Sequence, residues 1–220
     1  MKSLRFVVIG LGNFGSSVSE ALTAEGHEVI AIDLRGDAVD RLAPHVARGV
    51  VGDGCNLQTL ERAGARGANG AVVSTGDDIT ASILATMILH DLKIRDVYVK
   101  VISREHARVM DRIGVTESVF PEREAAVGLG ARLSGVGLLN YVRLGAGFSV
   151  QEMAVPQAWN GKPLRELQLR QRYNVTIVAL HDMLTGDITA TPDPDAPLKE
   201  SDSLFIAGKD SDLSQVAQLN

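Results

Sequence analysis

A single cysteine, Cys55, stands among 220 residues. That excludes an internal disulfide and a cysteine-rich metal site, and it points to a reducing compartment, so a cytoplasmic chain is expected. No stretch reaches the roughly 18 consecutive apolar residues that a spanning helix needs, which predicts a soluble protein. Positive charge is not in excess either: 22 Lys and Arg face 27 Asp and Glu, a net charge of -5. Residues 1–144 hold sixteen of these basic and seventeen of these acidic groups, and residues 145–220 six and ten. Neither part offers a basic face to a polyanion, so nucleic acid is not an expected partner. The opening run from Leu4 to Ile9 is short and broken by Gly10 and Gly12, so it reads as a first strand and not as an export signal. What is present is ordinary globular material, 45% hydrophobic and 22% charged, in a length that suits one or two compact units.

Up to about Pro121 short β-branched runs alternate with longer helical stretches, the pattern of βαβ units on a parallel sheet. Expected strands are Phe6–Ile9, Glu28–Ile32, Gly49–Val51, Gly70–Ser74, Val97–Val101 and Ser118–Phe120. Expected helices are Gly15–Ala24, Arg35–Leu42, Leu57–Ala63, Ile79–Leu92 and Arg104–Ile113. Val7-Val8-Ile9 and Ala71-Val72-Val73 are continuously apolar, as strands covered by helices on both faces should be. The fold class is therefore α/β, a Rossmann-like doubly wound parallel sheet. From Glu122 to Tyr141 a helical-length stretch carries small residues at Ala125, Ala126, Gly128, Gly130, Ala131, Gly135 and Gly137. Glycine costs about 1 kcal/mol inside a helix, so this stretch packs closely on another backbone or is kinked. Leu144-Gly145-Ala146-Gly147 reads as a boundary. Beyond it lies a small α+β lobe, with strands expected at Phe148–Val155, Val175–His181, Asp187–Thr191 and Ser203–Ala207 and helices at Lys162–Arg170 and Ser211–Gln218. The prolines of Thr191–Pro197 make that segment an exposed connection. The organisation expected is thus 1–121, a connecting helix over 122–144, and 145–220.

Gly10-Leu11-Gly12-Asn13-Phe14-Gly15 fits G-x-G-x-x-G directly after a strand and before a helix. The first glycine permits the tight turn, the second lets backbone N–H groups approach a pyrophosphate, and the third brings the helix close to the sheet. Asp33 follows 23 residues after Gly10, at the end of the second strand, where a carboxylate receives ribose hydroxyls. With its neighbour Leu34 it completes a candidate adenine-nucleotide site. A carboxylate there repels a 2′-phosphate, which favours NAD(H), ATP or ADP over NADP, with Arg35 as a counterargument. Asp53 and Gly54, Ser74 and Thr75, and Lys100 end the third, fourth and fifth strands at the same rim. Asp53 suits an adenine or ribose donor or a plain loop. Ser74 and Thr75 suit ribose or phosphate oxygens or a helix-entry turn. Lys100 suits phosphate charge or solvent.

A dehydrogenase also needs a proton-transfer group at the nicotinamide. Tyr141 is followed four positions on by Gly145, so a Tyr-x-x-x-Lys pair is missing. The five histidines are scattered, and His106, within Arg104-Glu105-His106-Ala107-Arg108, reads as part of a solvated helix face. Cys55 has no nucleophile pattern and no cluster has metal-ligand spacing, so no catalytic residue is assigned and no enzyme is expected. An NAD-dependent oxidoreductase stays as the alternative, and a redox-sensing transcription regulator is set aside for want of a basic helix-turn-helix.

In this order, the glycine loop, Asp33, Gly52-Asp53-Gly54, Val99-Lys100, Pro121-Glu122-Arg123 and a β-rich tail containing Gly161-Lys162-Pro163-Leu164, Arg170-Gln171-Arg172-Tyr173 and Leu198–Gly208 resemble the KtrA/TrkA-type regulatory subunits of bacterial potassium transporters. These carry an RCK (regulator of K+ conductance) domain. The resemblance implies a cytoplasmic ring of dimers, typically octameric, docked on the inner face of the membrane beneath a potassium-conducting subunit and gated by nucleotide. It implies that the stretch from Glu122 is a crossover helix packing on a neighbour. It also implies that Glu122 lies near the nucleotide phosphates and helps to hold a cation, although an acid at a helix entry suits the helix dipole equally. Relatives bind cyclic di-AMP at the C-terminal lobe, where Leu164, Arg170 and Tyr173 fall. The chain departs from the family at Asn13, where an arginine is common. An amide supplies fewer and uncharged donors to a terminal phosphate than a guanidinium, so weak ATP/ADP discrimination is expected.

Overall fold

Odd and even positions of the first strands face different cores, and this places the helices on both sides of one sheet. A computed structural model describes residues 3–134 and 138–219. Gly135 and Gly137 of the small-residue stretch lie outside these residues. The chain divides into two compact units, 1–121 and 122–220.

In the first unit β1 (Arg5–Ile9), β2 (Glu28–Asp33), β3 (Arg48–Val51), β4 (Gly70–Val73), β5 (Asp96–Lys100) and β6 (Glu117–Val119) form one parallel sheet in the order β3-β2-β1-β4-β5-β6. Helices α1 (Asn13–Ala24), α2 (Gly36–Leu42), α3 (Leu57–Ala63), α4 (Ile79–Asp91) and α5 (Arg104–Ile113) connect the strands. Val7, Ile9, Ile30, Ile32, Ala71 and Val73 belong to one core with Leu60, Leu89 and Met110. Their neighbours Val8, Val29, Ala31 and Val72 belong to a second core with Ala38, Val39 and Leu42. Period-two alternation thus feeds two apolar layers, the reason these strands carry unbroken apolar runs. The strand order reverses direction at β1, between β2 and β4, which is where ligands of open α/β sheets lie. Helices α3 and α5 end at Gly64 and Gly114, both left-handed, while Asn56, Asp78 and Ser103 cap the starts of α3, α4 and α5 through their side chains.

The second unit begins with α6 (Pro121–Ser134), whose first residue still belongs to the first unit. Helix is described as far as Ser134, and Leu138–Gly145 forms strand β7 where the sequence expectation had the helix continue. The segment Leu-Leu-Asn-Tyr-Val-Arg-Leu has β-forming content without strict alternation, and pairing with the next strand, β8 (Phe148–Ala154), decides its conformation. The expected boundary at Leu144–Gly147 is therefore the hairpin turn between β7 and β8, with Gly147 at φ +73. The short helices α7 (Leu164–Leu167) and α8 (Leu169–Tyr173) replace the single helix expected over Lys162–Arg170, because Gln168 is left-handed at φ +49. Strands β9 (Thr176–Asp182), β10 (Ile188–Ala190) and β11 (Asp202–Lys209) complete an antiparallel sheet in the order β10-β9-β11-β8-β7, followed by α9 (Asp210–Ala217). Met153, Leu204, Ile206, Leu213, Val216, Trp159 and Leu198 form its core. The proline-containing connection is mostly exposed and is tied to α7 by a two-pronged pair between Arg165 and Asp195 at 2.5 and 2.9 Å.

Glu152, beside the core residue Met153 and hence on the other face of β8, is only 3% exposed. Its carboxylate accepts from Ser203 Oγ at 2.6 Å and Asn140 Nδ2 at 2.5 Å and meets His181 Nδ1 at 2.8 Å, linking β7, β8, β9 and β11. Burial pushes its pKa up, and the bonds from Ser203, His181 and Asn140 outweigh that effect, leaving it below the ordinary value of 4.5. A carboxylate with a depressed pKa stabilises the fold above its unfolded value and loses that contribution as pH falls through the folded one. Glu152→Ala should cost about 1–3 kcal/mol, since Ser203 would be left buried without its acceptor, and should flatten the loss of stability below pH 4.5. Urea unfolding at neutral and acid pH, compared with the wild type, measures both effects.

Candidate functional site

The carboxyl end of β1 runs into Gly10, whose backbone conformation and close approach to the Ser74 carbonyl leave no alternative residue there. Gly10 has φ +89, its N–H donates to Ile32 O at 2.8 Å, and a Cβ on it would lie 2.1 Å from Ser74 O. Gly15 is buried, and a Cβ on it would lie 1.9 Å from Gly10 O. The first and third glycines therefore press the start of α1 against the ends of β1 and β4. Gly12 differs: it caps α1 with φ -69, no side chain caps the helix, and a Cβ on it meets nothing within 4 Å. The first-turn N–H groups of Asn13, Phe14 and Gly15 have no carbonyl partner within the helix, whose first bond is from Ser16 N to Gly12 O. Together with the helix dipole and a first turn without acids, they form a surface suited to an anion. Asn13 is exposed, whereas the Phe14 side chain packs partly buried against the core beside α1 and α2, so only its backbone faces the loop.

Asp33 sits at the end of β2 with its side chain 13% exposed. Its Oδ2 accepts from Leu11 N at 2.6 Å and its Oδ1 from Arg35 N at 2.8 Å, with Arg35 Nε at 3.8 Å. The same carboxylate that suits ribose hydroxyls thereby also holds the glycine loop, a link through Leu11 that sequence spacing alone does not reveal. Leu34 beside it is exposed. Gly54 is buried against Ile9, where a Cβ would lie 2.3 Å from Ile9 Cγ2. Asp53 is exposed and its Oδ1 accepts from Cys55 N at 2.8 Å, closing its own turn. Burial and the nearby Asp53 push the Cys55 thiol up.

Ser74 is buried, donating its N–H to Ile9 O at 2.7 Å, and Thr75 Oγ1 donates to Asp78 O at 3.0 Å. Gly10, Gly12, Gly15, Asp33, Gly54, Ser74 and Thr75 are thus gathered about the end of β1. Lys100 closes β5, two strand spacings from β1 or about 10 Å at the usual separation. Glu122 lies exposed in the first turn of α6, in the second unit. Among the described residues no group of three or more His, Cys, Asp or Glu side chains is placed to hold a metal ion. In the second unit Leu164 and Arg170 line a groove of about 620 Å³ with Arg165 and Gln168, while Tyr173 packs on Trp159 with ring centroids 5.8 Å apart. The first two proposed contacts are brought together there; Tyr173 is not among the groove's lining.

His106 corrects its sequence reading. It is buried at 2% exposure, with Nε2 3.2 Å from Ser82 Oγ in α4. Arg104, Glu105 and Arg108 mask an inward stripe of His106 and Met110, spaced four apart and both buried. This pair joins the first turns of α4 and α5, the helices that follow the Ser74 and Lys100 ends.

The TrkA-N domain family matches residues 6–121 and the TrkA-C domain family residues 150–220. The chain belongs to the TrkA-type family of potassium-uptake proteins. It is 32% identical over 215 residues to "Ktr system potassium uptake protein A" of Bacillus subtilis (strain 168), covering 98% of this chain and 96% of that protein. Protein C of the same system and organism is 32% identical over 210 residues, covering 96% and 94%. The GsuK RCK domain crystal structure shares the fold with TM-score 0.52 at 24% identity, covering 98% of this chain and 46% of that one. The boundary of the first family match coincides with the end of the first unit at Pro121.

Two outcomes test this geometry. Gly12→Ala should fold within about 1 kcal/mol of the wild type yet lose ADP binding by roughly tenfold or more, because its methyl would project into the open space in front of the first turn where the anion would lie. Gly10→Ala should instead lose about 1–3 kcal/mol or more from its backbone conformation alone. Urea unfolding and titration calorimetry separate the two. Burial pushes the His106 imidazole below its ordinary 6.5, so its stabilising contribution is present above that pH and is lost as pH falls through the folded value. His106→Gln should therefore reduce the slope of unfolding free energy against pH just below 6.5.

Proposed function

We propose that this chain is the nucleotide-responsive cytoplasmic regulatory subunit of a potassium-uptake system, and that an adenine nucleotide on the first turn of α1 changes the shape of a ring and so gates a potassium-conducting membrane subunit. The observation that carries the reading is the full-length similarity to two Ktr potassium uptake proteins combined with a glycine loop at whose middle glycine a side chain would meet nothing, at the start of a helix without acids in its first turn. Family membership favours this reading over an oxidoreductase, and no enzymatic role is proposed.

The finer assignments belong to the same proposal. Gly10, Gly12, Asn13, Phe14 and Gly15 meet the phosphates through backbone groups. Asp33 receives the ribose, and Leu34, Asp53, Gly54, Ser74, Thr75 and Lys100 line the rim. The ligand is ATP, ADP or NAD(H); the GsuK channel, which shares the fold at TM-score 0.52 and 24% identity, has a structure bound to NAD. This chain covers 39% of that channel chain. Glu122 would help a cation only together with the nucleotide's own oxygens. The exposed Val127, Leu129 and Leu133 of α6 suit packing on a second copy, in dimers that build an octamer at the inner membrane face. Leu164, Arg170 and Tyr173 mark the segment for cyclic di-AMP.

A ligand moves a conformational equilibrium only by binding two shapes unequally. Potassium flux through the reconstituted membrane subunit should therefore respond to a nucleotide with wild-type protein and fail to respond with Gly12→Ala. Flux indifferent to ATP, ADP and NAD(H) alike refutes the proposal. As a check on the binding step, a ligand at a hundredfold excess over its Kd should raise stability by about 2.7 kcal/mol.

A further inference from the structure

The groove of the second unit has one guanidinium free and one already taken. Arg165 and Arg170 both line it, beside the amides of Gln168 and Gln171 and the apolar Leu169 and Ile177. Such a lining suits a phosphodiester that carries flat rings, with cationic donors for the phosphate and an apolar wall for the ring. Arg170 is exposed and enters no ion pair among the described residues. Arg165 is exposed too, yet the Nε–Nη2 edge of its guanidinium is held by both oxygens of Asp195, at 2.5 and 2.9 Å. Asp193 adds a second negative charge near Arg165, whereas Glu166 and Arg172, on the same two short helices, are exposed without an ion pair among the described residues. Asp195 belongs to the exposed connection 191–197, which is fastened to α7 a second time where Arg165 N donates to Pro194 O at 2.9 Å. Pro194 itself lines the groove. At the start of the connection Thr191 stands at φ +51, a left-handed conformation that a β-branched side chain disfavours. The connection is thus held at the edge of the groove, in a strained backbone, by a residue that also faces the groove.

We infer that Asp195 is an internal competitor for Arg165, so that a ligand phosphate entering the groove takes this guanidinium and releases the 191–197 connection from α7. The inference rests on the cyclic di-AMP reading of this lobe proposed above and deepens it with a regulatory contact. While Asp195 stays in place it neutralises the guanidinium and repels a phosphate, and the phosphate gains the full charge of Arg165 only when the carboxylate swings away. An exposed ion pair is weak, and a releasable contact has to be. It holds the connection while the groove is empty and yields to a ligand that also engages Arg170 and the apolar wall.

Titration calorimetry of the full chain with cyclic di-AMP, at physiological salt so that distant charges are screened, tests this. Asp195→Ala is expected to bind roughly two- to fivefold more tightly than the wild type, the range an exposed pair represents, and Arg165→Gln to bind more weakly. In the double variant Arg165→Gln/Asp195→Ala the gain from removing Asp195 is expected to vanish, because the group it competed for is gone. Hydrogen exchange reads the release itself: the Arg165 amide, which donates to Pro194, is expected to exchange faster in Asp195→Ala without ligand and in the wild type with ligand. If Asp195→Ala binds no more tightly than the wild type, or if its gain survives in the Arg165→Gln background, Asp195 does not compete for Arg165; the inference is overturned and cyclic di-AMP binding stands. Binding that leaves the Arg165 amide as protected as in the free protein overturns the release. If the wild type and every variant fail to bind, the cyclic di-AMP reading is refuted and the inference falls with it.

Discussion

The contact between Gly10 and the Ser74 carbonyl sets the geometry on which the rest of the first unit depends. A Cβ on Gly10 would lie 2.1 Å from that oxygen, so the turn between β1 and α1 can approach β4 only with a bare backbone. Gly15 then fits over the Gly10 carbonyl in the same way, and the Asp33 carboxylate fastens the loop from the other side through Leu11 N. These are local steric and hydrogen-bonding requirements, yet together they aim the first amides of α1 into the crevice. Preorganisation of this kind lowers the conformational cost of binding, because the donors are already oriented before an anion arrives.

The second unit answers a different problem. Its antiparallel sheet has one face on an apolar core and needs a reason to hold its strands in register on the other. Glu152 supplies it by drawing donors from three other strands onto one buried carboxylate. A buried charge is costly unless every partner is in place, which makes this cluster sensitive to the loss of any member. The bonds fix Asn140, and so β7, to the rest of the sheet. That register is what turns Leu138–Gly145 from a continuation of the preceding helix into a strand.

Much of the first unit was legible because its strands are buried on both faces and its helices carry local stop signals. Val7-Val8-Ile9 cannot belong to a one-sided strand, and the left-handed Gly64 and Gly114 end α3 and α5 where the apolar pattern ends. The glycine loop and Asp33 were legible because each residue type has one backbone or charge requirement. Two of the misreadings involve long-range partners and one a local backbone conformation. Small residues after Glu122 suggested a helix to Tyr141, but pairing with β8 overrides local preference beyond Leu138. Gln168 adopts a left-handed conformation that side-chain chemistry does not announce. His106 looked solvated because its sequence neighbours are charged, and only the packing of α5 on α4 shows that it is enclosed.

The His106–Ser82 pair also bears on how a ligand can act. Binding that merely fills a rigid crevice shifts no equilibrium; some element touching the ligand must have two arrangements of similar free energy. The Ser74–Asp78 segment is a largely exposed turn between two anchored ends. Its beginning is held by the strand ladder and its end by the α4 cap, while between them Gly76 and the Thr75 hydroxyl govern a short exposed turn. Ser82 lies in the first turn of α4, directly beyond the cap, and His106 ties that turn to α5. A displacement of the β4 turn is therefore passed to two helix starts at once instead of dissipating in a loop. The buried histidine has an Nδ1 without a partner among the described residues, and the α4–α5 joint is held by the His106–Ser82 bond, by a long contact of Thr86 Oγ1 with Met110 Sδ at 4.0 Å and by packing. Fully satisfied polar networks rigidify a core; this joint, with few polar bonds, couples the two helix starts mainly through packing.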